Sequence, residues 1–232
     1  MFFLILPPTS APNGIFFQMI LWTLRHTKPY NPKDVCYGRS DFDVAPSFTE
    51  EYPPAVQVLR ENCRAQRIYS SPLQRCRKLA EKVAEAIKLP VQYTDALYEL
   101  NFGTWENVRL DAVPKEEMRA WKADLRGYRF PEGESFHDID VRVNQFIRQL
   151  LDEENSSGTE SEILFVTHAG VIASIEHSIC GVPDSDFIEG AFPYAMVTRF
   201  KIHLENGNPR GTFRTLYGGI TQNSLAEIIQ KL

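Results

Sequence analysis

Two apolar runs decide the fold of this chain: Met19-Ile-Leu-Trp-Thr-Leu24 and Ile163-Leu-Phe-Val-Thr167. Short and nearly continuous apolar runs are typical of strands that are buried on both faces of a parallel sheet. The first run stops abruptly at Arg25-His26 and the second at His168-Ala-Gly170. We therefore predict two core strands, each followed at its carboxyl end by a histidine.

Helical and extended patterns alternate along the rest of the chain. Helices are predicted over residues 50–62, 72–87, 115–125 and 136–150 and over about ten residues up to Cys180, and further strands over 67–70, 196–204 and 212–217. Ser71-Pro72 and Ser135 are predicted to begin two of these helices, and Gly181 to end another. Leu225 to Leu232 indicate a short closing helix. This alternation predicts a three-layer α/β/α sandwich, with a mainly parallel central sheet and an antiparallel strand near the end.

Length and composition are those of an ordinary globular protein. The 232 residues include 43% hydrophobic and 24% charged residues, with 25 Lys and Arg against 30 Asp and Glu. We expect one domain over residues 19–232, an irregular insertion at 99–134, and a dispensable arm at 1–18. The acidic balance argues against a nucleic-acid partner, and no segment has the pattern of a signal peptide or a membrane span, so we expect a cytoplasmic protein.

The cysteines indicate free thiols. Cys36, Cys63, Cys76 and Cys180 form no CxxC pair and show no regular spacing with the five histidines. A chain of this size needs no disulfide framework. We expect reduced and mostly buried thiols, with no metal site.

Four charged or ionisable residues are expected to meet at one edge of the sheet. In open α/β sheets the ligand crevice lies at the carboxyl ends of the strands, which is where His26 and His168 are placed. Arg75 lies in the first turn of a helix, and helical side chains lean back toward the N-terminus. Taken singly, each has an ordinary alternative: a structural histidine, a solvated arginine, or for Glu99 a loop carboxylate.

Five motifs, in order, resemble the histidine phosphatase superfamily, the phosphoglycerate-mutase-like enzymes. They are LRHT at 24–27, SSPLQR at 70–75, ELNFGTWE at 99–106, PEGES at 131–135 and VTHAG at 166–170. Together they cover the chain from about Met19 to about Tyr217. Within the superfamily, the segments 36–41 (CYGRSD) and 45–48 (APSF) are most similar to α-ribazole-5′-phosphate phosphatases, which act in cobalamin nucleotide-loop assembly.

The resemblance implies a role for each residue at the sheet edge. His26 matches the nucleophile that becomes phosphohistidine, and Glu99 matches the proton donor and acceptor. Arg25, Arg75 and His168 match the groups that hold the transferring phosphoryl, and Tyr37, Gly38 and Arg39 are further candidate substrate contacts. The resemblance implies no cofactor.

The first motif departs from the usual pattern of the superfamily, which is Arg-His-Gly with a Thr two residues on and an Asn three further. Here Thr27, Pro29 and Pro32 occupy those positions. Asn31 or the backbone of Tyr37-Gly38 are candidates for the lost phosphate contacts.

The expected activity is hydrolysis of a small phosphorylated metabolite, with α-ribazole 5′-phosphate as the first candidate. A phosphoglycerate mutase, a broad-specificity sugar or nucleotide phosphatase, and a non-catalytic phosphate-binding scaffold stay open as alternatives. The sequence does not decide between a monomer and a homodimer.

Overall fold

The computed structural model describes residues 18–157, 161–183 and 192–218. The strands are β1 (Gln18–Arg25), β2 (Arg67–Ser70), β3 (Val91–Tyr93), β4 (Glu162–Thr167), β5 (Val197–Glu205) and β6 (Asn208–Tyr217). The α-helices are α1 (Phe48–Asn62), α2 (Gln74–Ile87), α3 (Lys115–Ala123), α4 (Phe136–Ser157) and α5 (Ala169–Ser178).

The six strands form one sheet in the order β3-β2-β4-β1-β5-β6. Neighbours from β3 to β1 are parallel, whereas β5 is antiparallel to both β1 and β6. The predicted mainly parallel sheet with an antiparallel strand is confirmed. A consequence is that β1 and β4 are adjacent and end at the same edge.

Each face of the sheet carries its own hydrophobic core, because alternate strand residues point to opposite faces. Met19 and Leu21 of β1 belong to the core formed with α4 and α5. Trp22 and Leu24 belong to the core formed with α1 and α2. The predicted three layers, with β1 buried on both faces, are therefore confirmed.

The start of α2 corrects the sequence prediction. The helix begins at Gln74, and Ser71-Pro72 lie ahead of it in a bend. The Asp41 carboxylate, from a loop 33 residues earlier, accepts the Gln74 backbone N–H at 2.6 Å. A free N–H at a helix start needs an acceptor, and here tertiary structure supplies it from a distant segment.

Other boundaries differ as well. β3 was not predicted because it has three residues, and α4 runs on to Ser157, seven residues beyond its predicted end. The hairpin between β5 and β6 turns tightly at Asn206-Gly207, so β6 begins at Asn208, four residues before its predicted start, while β5 keeps its predicted length of nine residues. Gly181 follows α5 with φ +73° and donates its N–H to the His177 carbonyl, as predicted.

The insertion at 99–134 is irregular in backbone, but it is also part of the core. It contains α3 and two short 3-10 helices, Gly103–Trp105 and Leu110–Ala112. Leu100, Trp105, Val113 and Phe130 are buried in the core of α4 and α5. Trp105 and Trp121 contact each other and Phe130, so these rings serve packing.

Two sequence predictions fall largely outside the described residues. These are the arm at 1–18, of which Gln18 alone is described and begins β1, and the closing helix at 225–232. All four cysteines are free, with Cys63 and Cys76 buried and Cys36 and Cys180 half-buried. Within the described ranges, no helix is both long enough and apolar enough to cross a membrane.

Candidate active site

The two histidines meet at the carboxyl edge of the sheet. Arg25 is paired with Thr167 in the β1–β4 register, so the residues that follow lie side by side. The ring centroids of His26 and His168 are 5.1 Å apart, and the His26 backbone N–H donates to the Thr167 carbonyl at 2.9 Å. The parallel pairing of β1 and β4 therefore fixes the distance between the imidazoles.

His26 is held with one ring nitrogen free. Its Nδ1 lies 2.7 Å from the Thr27 carbonyl oxygen. A carbonyl only accepts, so Nδ1 carries the proton and Nε2 keeps its lone pair. Burial, followed by the positive charges of Arg75 and Arg25, holds the pKa of His26 well below 6.5. At neutral pH this residue is a neutral imidazole with a nucleophilic Nε2.

His168 is completely buried and is positioned by side chains from α2 and from the segment between β2 and α2. Its Nε2 lies 2.8 Å from Ser71 Oγ and 3.5 Å from Cys76 Sγ. Burial raises the pKa of the Cys76 thiol to about 12, so the thiol keeps its proton and donates to the Thr167 carbonyl. Burial, and then the charge of Arg75, likewise holds the pKa of His168 well below 6.5.

Arg75 points back from α2 toward the strand ends and is fully buried. Its Nη1 donates to the Ser40 carbonyl at 2.9 Å and its Nη2 to the Gly38 carbonyl at 2.6 Å. Its Nε has no hydrogen-bond partner in the described part of the chain. A buried guanidinium held by carbonyl dipoles, with no carboxylate beside it among those residues, favours an anion.

Arg25 provides a second such guanidinium from the end of β1. Its Nη1 donates to the Phe192 carbonyl, and its Cζ lies 4.3 Å from the centre of the Tyr194 ring. The Arg25 Nε is also buried without a hydrogen-bond partner among the described residues. The Tyr194 hydroxyl is 3.0 Å from the Tyr37 hydroxyl, which links the two loops around His26.

Glu99 is held by the backbone at the start of α5. Its Oε2 accepts the Gly170 N–H at 3.2 Å and its Oε1 accepts the Leu100 N–H at 2.9 Å. A Cβ added to Gly170 would lie 2.2 Å from Glu99 Oε1, so only glycine leaves room for the carboxylate. The dipole of α5 also favours a negative charge there.

A cavity of about 540 Å³ opens over Arg25, His26 and Glu99, whereas the fully buried Arg75 and His168 are not among its lining residues. Its described lining is Arg25, His26, Asn31, Asp34, Val35, Cys36, Tyr37, Glu99, Phe102, Arg109, Leu110 and Asp111. Burial raises the pKa of the Cys36 thiol to about 12, so this cysteine is not a thiolate nucleophile. His26 and Glu99 therefore face one cavity that extends from a buried end to an open rim.

The other predicted substrate contacts are placed differently. Tyr37 lines the cavity, whereas Gly38 directs its carbonyl to Arg75. Arg39 is absent from the described lining, and its guanidinium pairs with Glu134 at 2.6 Å. Asn31 lines the cavity, but its amide is bound to the Val35 backbone at both ends. Of the candidates for the missing phosphate contacts, the Gly38 carbonyl serves an arginine and Asn31 holds its own loop.

Glu106 fixes the loop that anchors Arg75. Its Oε1 accepts the Arg39 N–H at 2.8 Å, and its Oε2 accepts the Ser40 N–H at 2.6 Å. These bonds hold the segment whose Gly38 and Ser40 carbonyls bind Arg75. The sequence gives Glu106 no distinguishing feature beyond its place at the end of the ELNFGTWE motif.

The profile of the Histidine phosphatase superfamily (branch 1) matches residues 21–211. This range includes most of the chain, from β1 to β6. The chain belongs to the histidine phosphatase superfamily. It is therefore an enzyme of the phosphatase and phosphomutase kind, and its substrates are small phosphorylated compounds.

Known relatives of this histidine phosphatase include both kinds of enzyme. The Escherichia coli protein named "Probable phosphoglycerate mutase GpmB" is 27% identical over 168 residues, which are 70% of this chain and 75% of that protein. The mycobacterial glucosyl-3-phosphoglycerate phosphatase Rv2419c has the same fold, with a TM-score of 0.73, 21% identity and coverage of 87% and 100%. A protein of Escherichia coli K-12 proposed to be an alpha-ribazole-5′-P phosphatase gives a TM-score of 0.66, 24% identity and coverage of 85% and 95%.

Sequence reasoning about this histidine phosphatase missed Tyr194, Cys76 and Ser71. Ser71 lies in the SSPLQR motif and Cys76 follows it, but the motif alone does not show that both side chains contact His168. Tyr194 lies outside the five motifs and contacts Tyr37 and Arg25. Gly170 is different, since a glycine two residues after a strand-ending histidine indicates a close approach. No group of three or more His, Cys, Asp or Glu side chains in the described ranges is arranged to hold a metal ion.

Proposed function

We propose that this histidine phosphatase hydrolyses phosphomonoesters through a phosphohistidine formed on His26. One observation carries the proposal: a neutral His26, whose Nδ1 is held by the Thr27 carbonyl, lines a cavity together with Arg25, and the charge of the buried Arg75 also acts on its imidazole. Nucleophile and anion-binding groups are what phosphoryl transfer requires.

In the first step, the His26 Nε2 lone pair attacks phosphorus while the bond from phosphorus to the ester oxygen breaks. Glu99 in its acid form gives its proton to the departing alkoxide. Arg25 and Arg75 balance the charge on the phosphoryl oxygens, and His168 donates a further hydrogen bond to them. The products are the alcohol and phosphohistidine.

In the second step, water replaces the alcohol. Glu99, now a carboxylate, takes a proton from the water as its oxygen bonds to phosphorus and the phosphorus–nitrogen bond breaks. Inorganic phosphate leaves, and neutral His26 and protonated Glu99 are restored. Gly170 supports both steps, because its N–H holds the Glu99 carboxylate over the cavity.

As the substrate we propose α-ribazole 5′-phosphate or a similar nucleoside monophosphate. The resemblance of residues 36–41 and 45–48 to α-ribazole-5′-phosphate phosphatases supports this choice. So does the shared fold with the Escherichia coli protein proposed to have that activity.

A phosphoglycerate mutase is the second candidate. It is favoured by the 27% identity to GpmB. A mutase would return the phosphoryl group from His26 to the substrate rather than pass it to water. The two functions therefore share the first step and differ in the acceptor of the second.

The test is a phosphate-release screen with α-ribazole 5′-phosphate, 3-phosphoglycerate and an aryl phosphate, combined with chemical trapping of phosphohistidine. We expect phosphate release and an acid-labile phosphoprotein that His26→Ala abolishes, with the exposed His137→Ala as matched control. Isomerisation of phosphoglycerate without phosphate release would establish the mutase. A His26→Ala protein with undiminished hydrolysis would refute the nucleophile, and no reaction with any substrate would favour a phosphate-binding scaffold.

A further inference from the structure

The open rim of the cavity has a charge pattern that the phosphate chemistry does not explain. We define the rim as Asp34, Arg109, Leu110 and Asp111, all of which are exposed and line the cavity. The buried end takes the phosphoryl group, so the rim must face the leaving group of the substrate. Its charges therefore act on whatever the substrate carries beyond its phosphate.

The rim arginine is already neutralised. Arg109 Nε lies 3.0 Å from Asp111 Oδ1 and its Nη2 lies 2.9 Å from Asp111 Oδ2, and its Nη1 donates to the Lys33 carbonyl. This two-point geometry occupies the face of the guanidinium that would otherwise bind a carboxylate or phosphate. Arg109 is thus a poor receptor for a second anionic group on the substrate.

Asp34 adds a second carboxylate to the rim, and its charge also acts on Arg109. Within the described ranges its carboxylate makes no hydrogen bond or ion pair, and its backbone has φ +49°. Asp and Asn tolerate this left-handed conformation better than most residues, so a change to Asn alters the charge while keeping the backbone preference. With the Arg109–Asp111 pair, Asp34 leaves the rim with one negative charge in excess.

Part of the cavity wall is apolar, beside the polar Asn31 and Tyr37. Val35 and Phe102 line the wall between the rim and His26, and Leu110 is 45% exposed at the mouth. A large apolar side chain held open at a cavity mouth gains by covering an apolar ligand. The chemistry of this end therefore suits a ring without charge.

We propose that the cavity selects phosphomonoesters with an uncharged, ring-containing leaving group and discriminates against those with a second anionic group. Asp34 and Asp111 are the specificity-determining residues, Asp34 through its own charge and Asp111 by occupying Arg109. This inference rests on the proposed function, because it assigns the substrate class of the same site. It places a nucleoside monophosphate ahead of phosphoglycerate, whose carboxylate would meet Asp34.

The test compares two nearly isosteric esters, 4-carbamoylphenyl phosphate and 4-carboxyphenyl phosphate. Like charges near a protein surface, a few ångströms apart, should favour the carbamoyl ester by roughly five- to fiftyfold in kcat/KM. The ratio should shrink with added salt, because the rim is exposed. The two esters can differ in intrinsic reactivity. Comparing the ratio of their kcat/KM values between the wild type and its variants removes that difference.

Three variants give the sign of the effect. In Asp34→Asn the ratio should fall by several-fold, and in Asp111→Asn it should fall further, because Arg109 is then free to bind the carboxylate. Arg109→Gln should raise the ratio, since it leaves Asp111 unpaired. Asp152→Asn, which removes an exposed carboxylate from α4, is the control for net charge and should leave the ratio unchanged.

The outcomes separate this inference from the proposed function. If the wild-type protein hydrolyses both esters equally well, or if Asp34→Asn and Asp111→Asn keep the wild-type ratio, the rim has no part in selection and the inference is wrong. Phosphate release from both esters would then still support the proposed function. If neither ester is hydrolysed while α-ribazole 5′-phosphate is, the inference is wrong and the proposed function stands. If none of the three releases phosphate, the proposed function itself is refuted.

Discussion

The two ends of the cavity are built in opposite ways. At the phosphate end, His26, Arg75 and His168 are at most 1% exposed, and backbone carbonyls and side chains from separate segments hold them. At the rim, Arg109 and Asp111 are more than half exposed and are neighbours two residues apart. Burial removes water, which strengthens each charge and fixes its geometry, whereas exposed charges are screened and mobile. We infer that the buried end determines the reaction and the rim adjusts the substrate.

The largest effect is expected from Arg75→Lys, which breaks the buried end. Lysine keeps the charge, but it cannot bind the Gly38 and Ser40 carbonyls and a phosphate oxygen together. We expect kcat/KM for an aryl phosphate to fall roughly 100-fold, the equivalent of one or two charge-assisted hydrogen bonds. The exposed neighbour Arg77→Lys is the control. A loss below threefold in Arg75→Lys would show that this guanidinium does not bind the phosphoryl group.

Gly170→Ala should lower kcat/KM roughly 30-fold, which is typical of a partial loss of general acid–base catalysis. The added methyl group would lie 2.2 Å from Glu99 Oε1, so the carboxylate must move. Steady-state kinetics with two aryl phosphates of different leaving-group pKa would measure it. The loss should be larger for the poorer leaving group, because Glu99 protonates it. Equal losses for the two esters would contradict this role of Glu99.

Glu106→Gln tests whether the loop between the two ends holds Arg75. Glutamine has one carbonyl oxygen in place of the two carboxylate oxygens of Glu106. The Ser40 or Arg39 N–H therefore loses its acceptor. We expect roughly a tenfold rise in KM or in the inhibition constant of inorganic phosphate, as for one lost hydrogen bond to a charged group. Exposed Glu116→Gln is the matched control. An unchanged affinity for phosphate would show that Glu106 is not needed to position Arg75.

The buried histidines should make stability depend on pH. Their pKa values are held well below 6.5, so on acidification the unfolded chain takes up protons that the folded chain does not. Stability should therefore be fully present above pH 6.5 and decrease below it, by up to about 1.4 kcal/mol per pH unit for each histidine. We expect denaturant unfolding at pH 6.5 and 5.5 to show that the free energy of unfolding decreases by about 1 kcal/mol less in His168→Asn than in the wild type.

A control separates the effect of the buried histidines from the protonation of carboxylates at low pH. His137 is exposed, so His137→Gln should follow the wild-type curve. Parallel curves for wild type and His168→Asn would show that His168 does not remain neutral in the folded protein.

The smallest effect is expected at the rim. Leu110→Ala removes an apolar side chain that is 45% exposed, so stability should change by less than about 0.5 kcal/mol. The kcat/KM for an aryl phosphate should decrease about threefold, because part of the apolar contact with the ring is lost. A decrease as large as that of Arg75→Lys would remove the distinction between a fixed end and an adjustable end.

The sequence was most informative where residue type and local periodicity are sufficient to predict an element. The apolar runs of β1 and β4 predicted buried strands because apolar runs this short are typical of strands covered on both faces. The motifs then predicted the superfamily, which the match over residues 21–211 confirms. It was less informative in the 99–134 insertion, whose irregular backbone gives no period although Trp105 and Phe130 are core residues.

The cap of α2 and the anchoring of Arg75 show what a local pattern cannot contain. Ser71-Pro72 has the composition of a helix start, yet Asp41 accepts the first free N–H of the helix. The same loop supplies the carbonyls that bind Arg75. Both contacts join segments more than 30 residues apart, and the sequence has no local signal for either.

By itself, therefore, the sequence determined the strands, the two histidines at their ends and the family to which the chain belongs, because these depend on residue type and short spacing. Only the tertiary structure decided what holds His168 and Arg75 and which charges face the leaving group. Those properties depend on distances between segments far apart in the chain, and such distances are set by packing of the whole domain.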